Sequence, residues 1–366
     1  MTTIATIINV LETFAPTVYQ ESYDNSGLIL GDASRECTGI LCTLDTTEEV
    51  VQEAIEKGCN LIVAHHPIVF TGLKKITGKN YVERTVIAAI KNNIAIYAIH
   101  TNADNVLAGV NDVIATKLGL IDKKILVPKK NLLANLITFV PSSHLLKVRQ
   151  ALFDAGTGNI GNYSEASFSV EGTGTYTANE KANPFLGEIG KRHEEIECRI
   201  EVIFPLHTQG KVLSALKEAH PYEEVAYNII PLVNEHNEVG SGIIGTLPEP
   251  MTEGQILSHI KDTFGLQVVK HTKLLGKAIY KIALCGGAGS FLTKDAIASG
   301  ADLFISADIK YHEFFDADNR IVIADIGHWE SEQFTVDLLF DILHVKFPTF
   351  AVLKSKVNTN SVKYFL

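Results

Sequence analysis

Three short stretches of this chain end in residue types that bind metal. His65 and His66 lie in Leu61-Ile-Val-Ala-His-His-Pro-Ile68, His100 and Asp104 in Ile96-Tyr-Ala-Ile-His-Thr-Asn-Ala-Asp104, and His328 and Glu332 in Ile323-Ala-Asp-Ile-Gly-His-Trp-Glu-Ser-Glu332. In each, a short apolar run reads as a buried parallel strand that stops at imidazoles and carboxylates. Open α/β sheets place their ligands in the crevice beyond the carboxyl ends of the strands. Three strand ends with two ligand-type residues each point to one polar pocket with room for two divalent ions. Mixed imidazole and carboxylate donors suit Zn, Fe, Mn, Co or Ni. Two such ions about 3.5–4 Å apart share an activated water and clamp the oxygens of a displaced group, which is the chemistry of hydrolysis.

Each residue also has a plainer reading. Adjacent histidines inside a strand face opposite ways. At a strand end, with Pro67 limiting the backbone, His65 and His66 can both aim into one crevice and serve different ions; the alternative is one buried and one surface histidine. His328 and Glu332 are four apart at what reads as the first turn of a helix, so they share a face; the alternative is a surface pair. Asp104 is a ligand or a turn and cap residue. His100 is a supporting imidazole, a substrate contact or a general acid, and proton transfer falls to His100 or Glu330. Asp308 and His312, also four apart after a strand, line the same crevice or merely cap a helix. Cys285-Gly-Gly-Ala-Gly-Ser290 could cradle an anion on its amides or be a tight turn. It is no Walker loop, since no Gly-Lys-Ser/Thr follows. Asp24-Asn-Ser-Gly27 reaches the pocket rim or turns the chain. His220-Pro-Tyr-Glu-Glu224 reads as a structural or inter-subunit turn.

The elements that must position these groups alternate. Strands are expected at 39–44, 61–64 and 94–99, with helices at 47–57, 81–92 and 110–117, after an amphipathic helix over 1–12. This is the βαβ rhythm of a layered α/β domain with a largely parallel sheet. The rhythm changes at Pro128. Strand 136–140, helix 144–155, strands 167–171 and 196–204, helix 208–219 and strand 225–231 follow the ferredoxin-like order β-α-β-β-α-β. The stretch 173–190, rich in Gly, Thr, Asn and Pro, reads as a mobile loop. The α/β rhythm then resumes, with a helix over 253–263, strands at 282–285, 303–306 and 321–325, and helices at 293–298, 309–317 and 333–345. The expected domains are therefore 1–127, an insertion at 128–235, and 236–366 completing the first.

The 366 residues are 46% hydrophobic, enough for two or three compact domains. A net charge of -10 argues against nucleic acid or anionic membrane as a partner. Five cysteines without a CxxC read as reduced, buried thiols in a reducing compartment. No stretch approaches the roughly 18 apolar residues that span a bilayer, and the N-terminus lacks the basic and apolar regions of a signal peptide. A cytoplasmic protein is expected.

Tyr23-Asp-Asn-Ser-Gly27, Ala64-His-His-Pro-Ile68, His100-Thr-Asn-Ala-Asp104, Gly286-Gly-Ala-Gly289, Asp308-Ile-Lys-Tyr-His312 and Gly327-His-Trp-Glu-Ser-Glu332 together resemble the signature blocks of the Nif-three-like family, often labelled GTP cyclohydrolase 1 type 2 homologues. The one departure is Ser306-Ala307, where the family often carries Thr-Gly. The segment 128–235 resembles the PII- and CutA-like insertion of longer bacterial members. The resemblance implies two divalent metal ions per subunit, zinc foremost with Fe, Mn, Co or Ni as alternatives, held by His65, His66, Asp104, His328 and Glu332 with His100 beside them. It also implies a toroidal homohexamer whose metal sites face an internal cavity. The resulting expectation is a metal-dependent hydrolase acting on a GTP-like or other phosphorylated heterocycle. The alternative is a non-enzymatic metal-binding scaffold that senses a ligand or assembles through its insertion.

Overall fold

The computed structural model describes residues 2–365. The chain divides into two compact units, Met1–Val127 with Glu238–Leu366, and Pro128–Asn237.

The first unit contains two sheets. One runs, in spatial order, Gly27–Leu30, Ala95–Ala98, Leu61–Ala64, Ile40–Thr43 and Val352–Lys354. The last four are parallel, and only Gly27–Leu30 is antiparallel to its neighbour. The three central strands are buried at every position, which requires the uninterrupted apolar runs seen in the sequence. Helices Glu48–Glu56 and Tyr81–Lys91 begin where Thr47 and Asn80 cap their first amides. They press Val50, Val51, Ala54 and Ala89 onto Leu41, Ile62 and Ile96. Each fully buried valine, leucine or isoleucine among them contributes about 1.5–3 kcal/mol.

The second sheet runs Lys270–His271, Val322–Asp325, Leu303–Ala307, Ala278–Ala288, Glu235–Thr252 and Ile121–Lys130. Leu303–Ala307 is parallel to both neighbours, whereas Lys270–His271 and Glu235–Thr252 pair antiparallel to theirs. The α/β rhythm is therefore shared between two sheets, each parallel at its centre and antiparallel towards an edge. Strands 121–130 and 235–252 escape a reading by pattern because proline and glycine punctuate them. Pro248 and Pro250 fall where the register against Ala278–Ala288 slips between Thr246 and Met251. The expected helix over 309–317 is a tighter 3-10 segment, Tyr311–Ala317. No helix among the described residues is long and apolar enough to cross a membrane.

The second unit contains Leu133–Pro141, Leu145–Asp154, Phe168–Thr177, Arg192–Pro205, Gln209–Ala219 and Tyr227–Leu232. Its antiparallel sheet is ordered Phe168–Thr177, Arg192–Pro205, Leu133–Pro141, Tyr227–Leu232, the ferredoxin-like arrangement. Both helices cover one face, with Val148, Leu152, Val212 and Leu216 against Leu136, Val202 and Phe204. The expected loop 173–190 is in part strand, since Thr173–Thr177 pairs with Arg192–Ile196. The remainder is tied down where Leu186 O accepts from the Tyr176 hydroxyl at 2.6 Å and the Glu223 carboxylate accepts from Asn183 N–H at 2.7 Å. Both nitrogens of His220 are occupied: Nε2 donates to Phe139 O at 2.9 Å and Nδ1 accepts from Tyr222 N–H at 3.1 Å. That turn holds structure.

Candidate metal centre

The ladder of strand Leu61–Ala64 runs two residues past its end, because His65 N–H donates to Thr43 O and His66 N–H to Leu44 O. Pro67 then stops it. His65 is fully buried, and its Nδ1 lies 2.9 Å from Ile99 O. A carbonyl can only accept, so Nδ1 carries the proton and the Nε2 lone pair faces inward. Nδ1 of His66 is likewise held by Asp45 Oδ1 at 2.7 Å, that of His328 by Asp308 Oδ2 at 2.7 Å, and that of His100 by Asp24 Oδ1 at 2.7 Å. Carboxylates behind imidazoles orient the rings and raise their basicity.

The inward atoms converge. Glu332, at the end of helix His328–Glu332, brings Oε2 to 3.0 Å from His66 Nε2 and 3.2 Å from His328 Nε2, and Oε1 to 3.9 Å from His65 Nε2. His65 Nε2 is 3.7 Å from Asp104 Oδ1, and His66 Nε2 is 3.4 Å from His328 Nε2. Three groups have ligand atoms within 4.8 Å of one another and could each hold an ion: His65, Asp104 and Glu332; His66, His328 and Glu332; and His65, His66 and His100. His65 Nε2 and Asp104 Oδ1 are buried without a hydrogen-bond partner, whereas Glu332 Oε2 has the imidazoles of His66 and His328 within reach. Both of the unpartnered atoms are acceptors, and each unsatisfied buried group costs about 1–3 kcal/mol. Orphaned acceptors facing one another are what a cation between them would satisfy, so the residues fit a divalent metal.

Protonation follows the same attraction for positive charge. Burial pushes Asp104 up to about 7, and the nearby Glu332 charge adds to the rise. Burial also opposes ionisation of Glu332, but the imidazoles of His328, His65 and His66 hold its carboxyl well below the usual range. Burial disfavours charge on His66, yet Asp45 and Glu332 outweigh it and lift the ring to about 10. His328 is lifted against its burial to about 9 by Glu332 and Asp308.

The glycine turn after strand Ala278–Ala288 has a different use from an anion cradle. The amides of Gly286, Gly287 and Gly289 are consumed by Asn111 Oδ1, Ser331 Oγ and Ser306 Oγ. Gly287 has a φ of +60°, and a Cβ there would sit 2.4 Å from Glu332 Oε1. Glycine lets the backbone pass directly behind the shared carboxylate.

Of the residues singled out by sequence, His65, His66, His100, Asp104, His328 and Glu332 come together. Glu330 lies apart, its carboxylate accepting from Asn360 Nδ2 at 2.9 Å. Asp308 and Asp24 join the site through His328 and His100, whereas His312 is exposed and stacks beside Phe315. Sequence reasoning missed Asp45 and Thr359, whose hydroxyl donates to Asp45 Oδ2 at 2.5 Å. Asp45 carried a signal, being a carboxylate two residues beyond a buried strand; Thr359 carried none. Around the cluster lies a cavity of about 510 Å³, walled by His66, His100, His328 and Glu332 and rimmed by Tyr23 and Phe70.

The profile of the Duf34/NIF3 (NGG1p interacting factor 3) family matches residues 2–361. The chain belongs to this family. Among similar DUF34/NIF3 relatives, a protein of Halalkalibacterium halodurans is 39% identical over 88% of this chain and 87% of its own length. One of Bacillus subtilis is 37% identical over the same shares. Both are named "GTP cyclohydrolase 1 type 2 homolog". The crystal structure of a Bacillus cereus protein related to NIF3 superposes with a TM-score of 0.89 at 37% identity, covering 100% of this chain and 99% of that one. For this NIF3 chain, Asp45→Ala is expected to weaken metal binding by about 10- to 100-fold without unfolding it, because the His66 ring loses its orienting partner. Competitive titration with a metal-sensitive dye measures it; unchanged affinity would remove Asp45 from the site.

Proposed function

We propose that this chain is a dinuclear metal-dependent hydrolase. His65 and Asp104 would hold one divalent ion and His66 and His328 a second, with Glu332 shared between them. Zinc is the first candidate and Fe, Mn, Co or Ni the alternatives. The observation that carries this is Glu332: one buried carboxylate faces three imidazoles, with an oxygen towards each set. Ions there would supply Lewis-acid polarisation of a substrate oxygen and acidification of a water. The chain's own part is to fix the imidazole tautomers from behind and to present His100. Asp24 holds His100 Nδ1–H, so its Nε2 faces the other histidines as a proton acceptor. Glu330, tied to Asn360, is placed less well for that work.

The substrate class follows the relatives' printed name, a GTP-like or other phosphorylated heterocycle. The wider reading is a homohexameric, cytoplasmic enzyme with a PII/CutA-like inserted unit. Five free, buried cysteines support the reducing compartment, and the strand order supports the character of the insertion. The test is metal analysis of protein purified without added metal, followed by a screen of nucleotides, phosphoesters and amides. Bound divalent metal and turnover abolished by chelation are expected. Silence from fully metal-loaded protein would sink the enzyme and leave a metal-binding scaffold.

A further inference from the structure

The cavity in front of the ligand cluster has one aromatic wall. Tyr23 and Phe70 lie with ring centroids 6.4 Å apart, Phe70 meets His100 edge-on at 6.2 Å, and His100 meets His66 at 5.3 Å. The wall is fixed from beneath. Asn25 Nδ2 donates to Val69 O at 2.6 Å, locking the turn that carries Tyr23 onto the segment that carries Phe70. Asp24 binds His100 Nδ1–H and Thr101 N–H. Tyr23 and Phe70 are nonetheless exposed, at 63% and 45%. Large rings held in place but uncovered at the mouth of a polar cavity offer a stacking face to a flat ligand.

In metal-free protein, charge limits what that ligand carries, because the imidazoles of His66 and His328 are already paired with Asp45, Asp308 and Glu332. Among the described residues, no lysine or arginine lines the cavity, while Glu21, Asp45, Asp104 and Glu332 do. Lys74 and Lys75, which follow Phe70 along the chain, are exposed and outside the lining. Sites built for polyphosphates surround them with guanidinium, ammonium or free amide donors. Here the glycine-turn amides are already bonded.

We infer that the cavity recognises an aromatic heterocycle, stacked on Tyr23 and Phe70 with its polar edge towards His100, and that the protein's own side chains, as distinct from any bound metal, do not recognise a triphosphate tail. This rests on the metal-site reading only for the identity of the cavity floor; the stacking wall stands without it. It places the recognition of such a substrate on its ring rather than on its phosphates.

The test is calorimetric titration of full-length protein with guanosine and with GTP, in chelator-treated and metal-loaded forms. Trp329, the chain's only tryptophan and part of the cavity lining, provides a second signal through its emission. Guanosine is expected to bind both forms, and to bind the chelator-treated form at least as tightly as GTP does. Tyr23→Ala and Phe70→Ala should each weaken it by about ten-fold, in line with base stacking on aromatic side chains, with metal content and thermal unfolding unchanged. GTP binding clearly tighter than guanosine in the chelator-treated form, no guanosine binding, or binding indifferent to both substitutions overturns the inference. A protein that binds guanosine through Tyr23 but takes up no metal would refute the metal reading and leave this one standing.

Discussion

Glu332→Ala is expected to abolish stoichiometric metal binding at both ligand sets together. Glu332 is the only residue common to the His65–Asp104 and His66–His328 sets. Its removal leaves each set with two protein ligands, too few for the three that open catalytic sites keep. The fold should survive, since the side chain lies at the end of a short helix whose other contacts are unaltered. Glu332→Gln keeps the volume and one acceptor oxygen but loses the charge, so it should retain at most weak metal. Atomic emission of dialysed protein reads the content, and circular dichroism checks the fold. Two ions per chain retained in the alanine variant would show that Glu332 is no shared ligand. Loss from one set alone would show that the sets are independent.

The second large effect is in pH. In metal-free protein His66 stands near 10 and His328 near 9, both above an ordinary 6.5, so at pH 7 both rings are protonated. Metal needs their neutral forms and must displace two protons. Affinity should therefore rise about a hundredfold per pH unit from 7 until His328 begins to lose its proton, and calorimetry in buffers of different ionisation enthalpy should count the protons released. Stability of the metal-free form has the opposite sign. A histidine whose pKa is raised on folding stabilises fully below its unfolded value and loses that contribution as pH rises through its folded one. Asp104, raised to about 7, adds a cost that grows between pH 4 and 7. Chelator-treated protein is thus expected to melt lower at pH 9.5 than at pH 7, while metal-loaded protein does not follow this decline. A metal-free melting temperature that climbs over this interval would mean that the carboxylates do not hold these protons.

Much of the site was legible because parallel strands buried on both faces leave little freedom of pattern. Leu61–Ala64, Ala95–Ala98 and Val322–Asp325 are buried throughout, the last apolar up to Asp325, and each stops close to a ligand-type residue. The i,i+4 spacing of His328 and Glu332 likewise needed only helical geometry. Illegible were features in which local chemistry is ambiguous. Proline and glycine hid strands Ile121–Lys130 and Glu235–Thr252, since the same residues mark loops. The glycine turn read as an anion cradle until its amides were seen bonded to Asn111, Ser306 and Ser331.

By itself, the order of residues determined which side chains end the strands and hence the donor set, because burial, periodicity and strand direction are written locally. Only the tertiary structure decided that two sheets, rather than one, bring His65 and His66 to Glu332 across more than 260 positions of chain. It also decided that Asp45, Asp308 and Asp24 stand behind the imidazoles. Those pairings are long-range contacts between groups with no mutual spacing, and nothing short of the packed core specifies them.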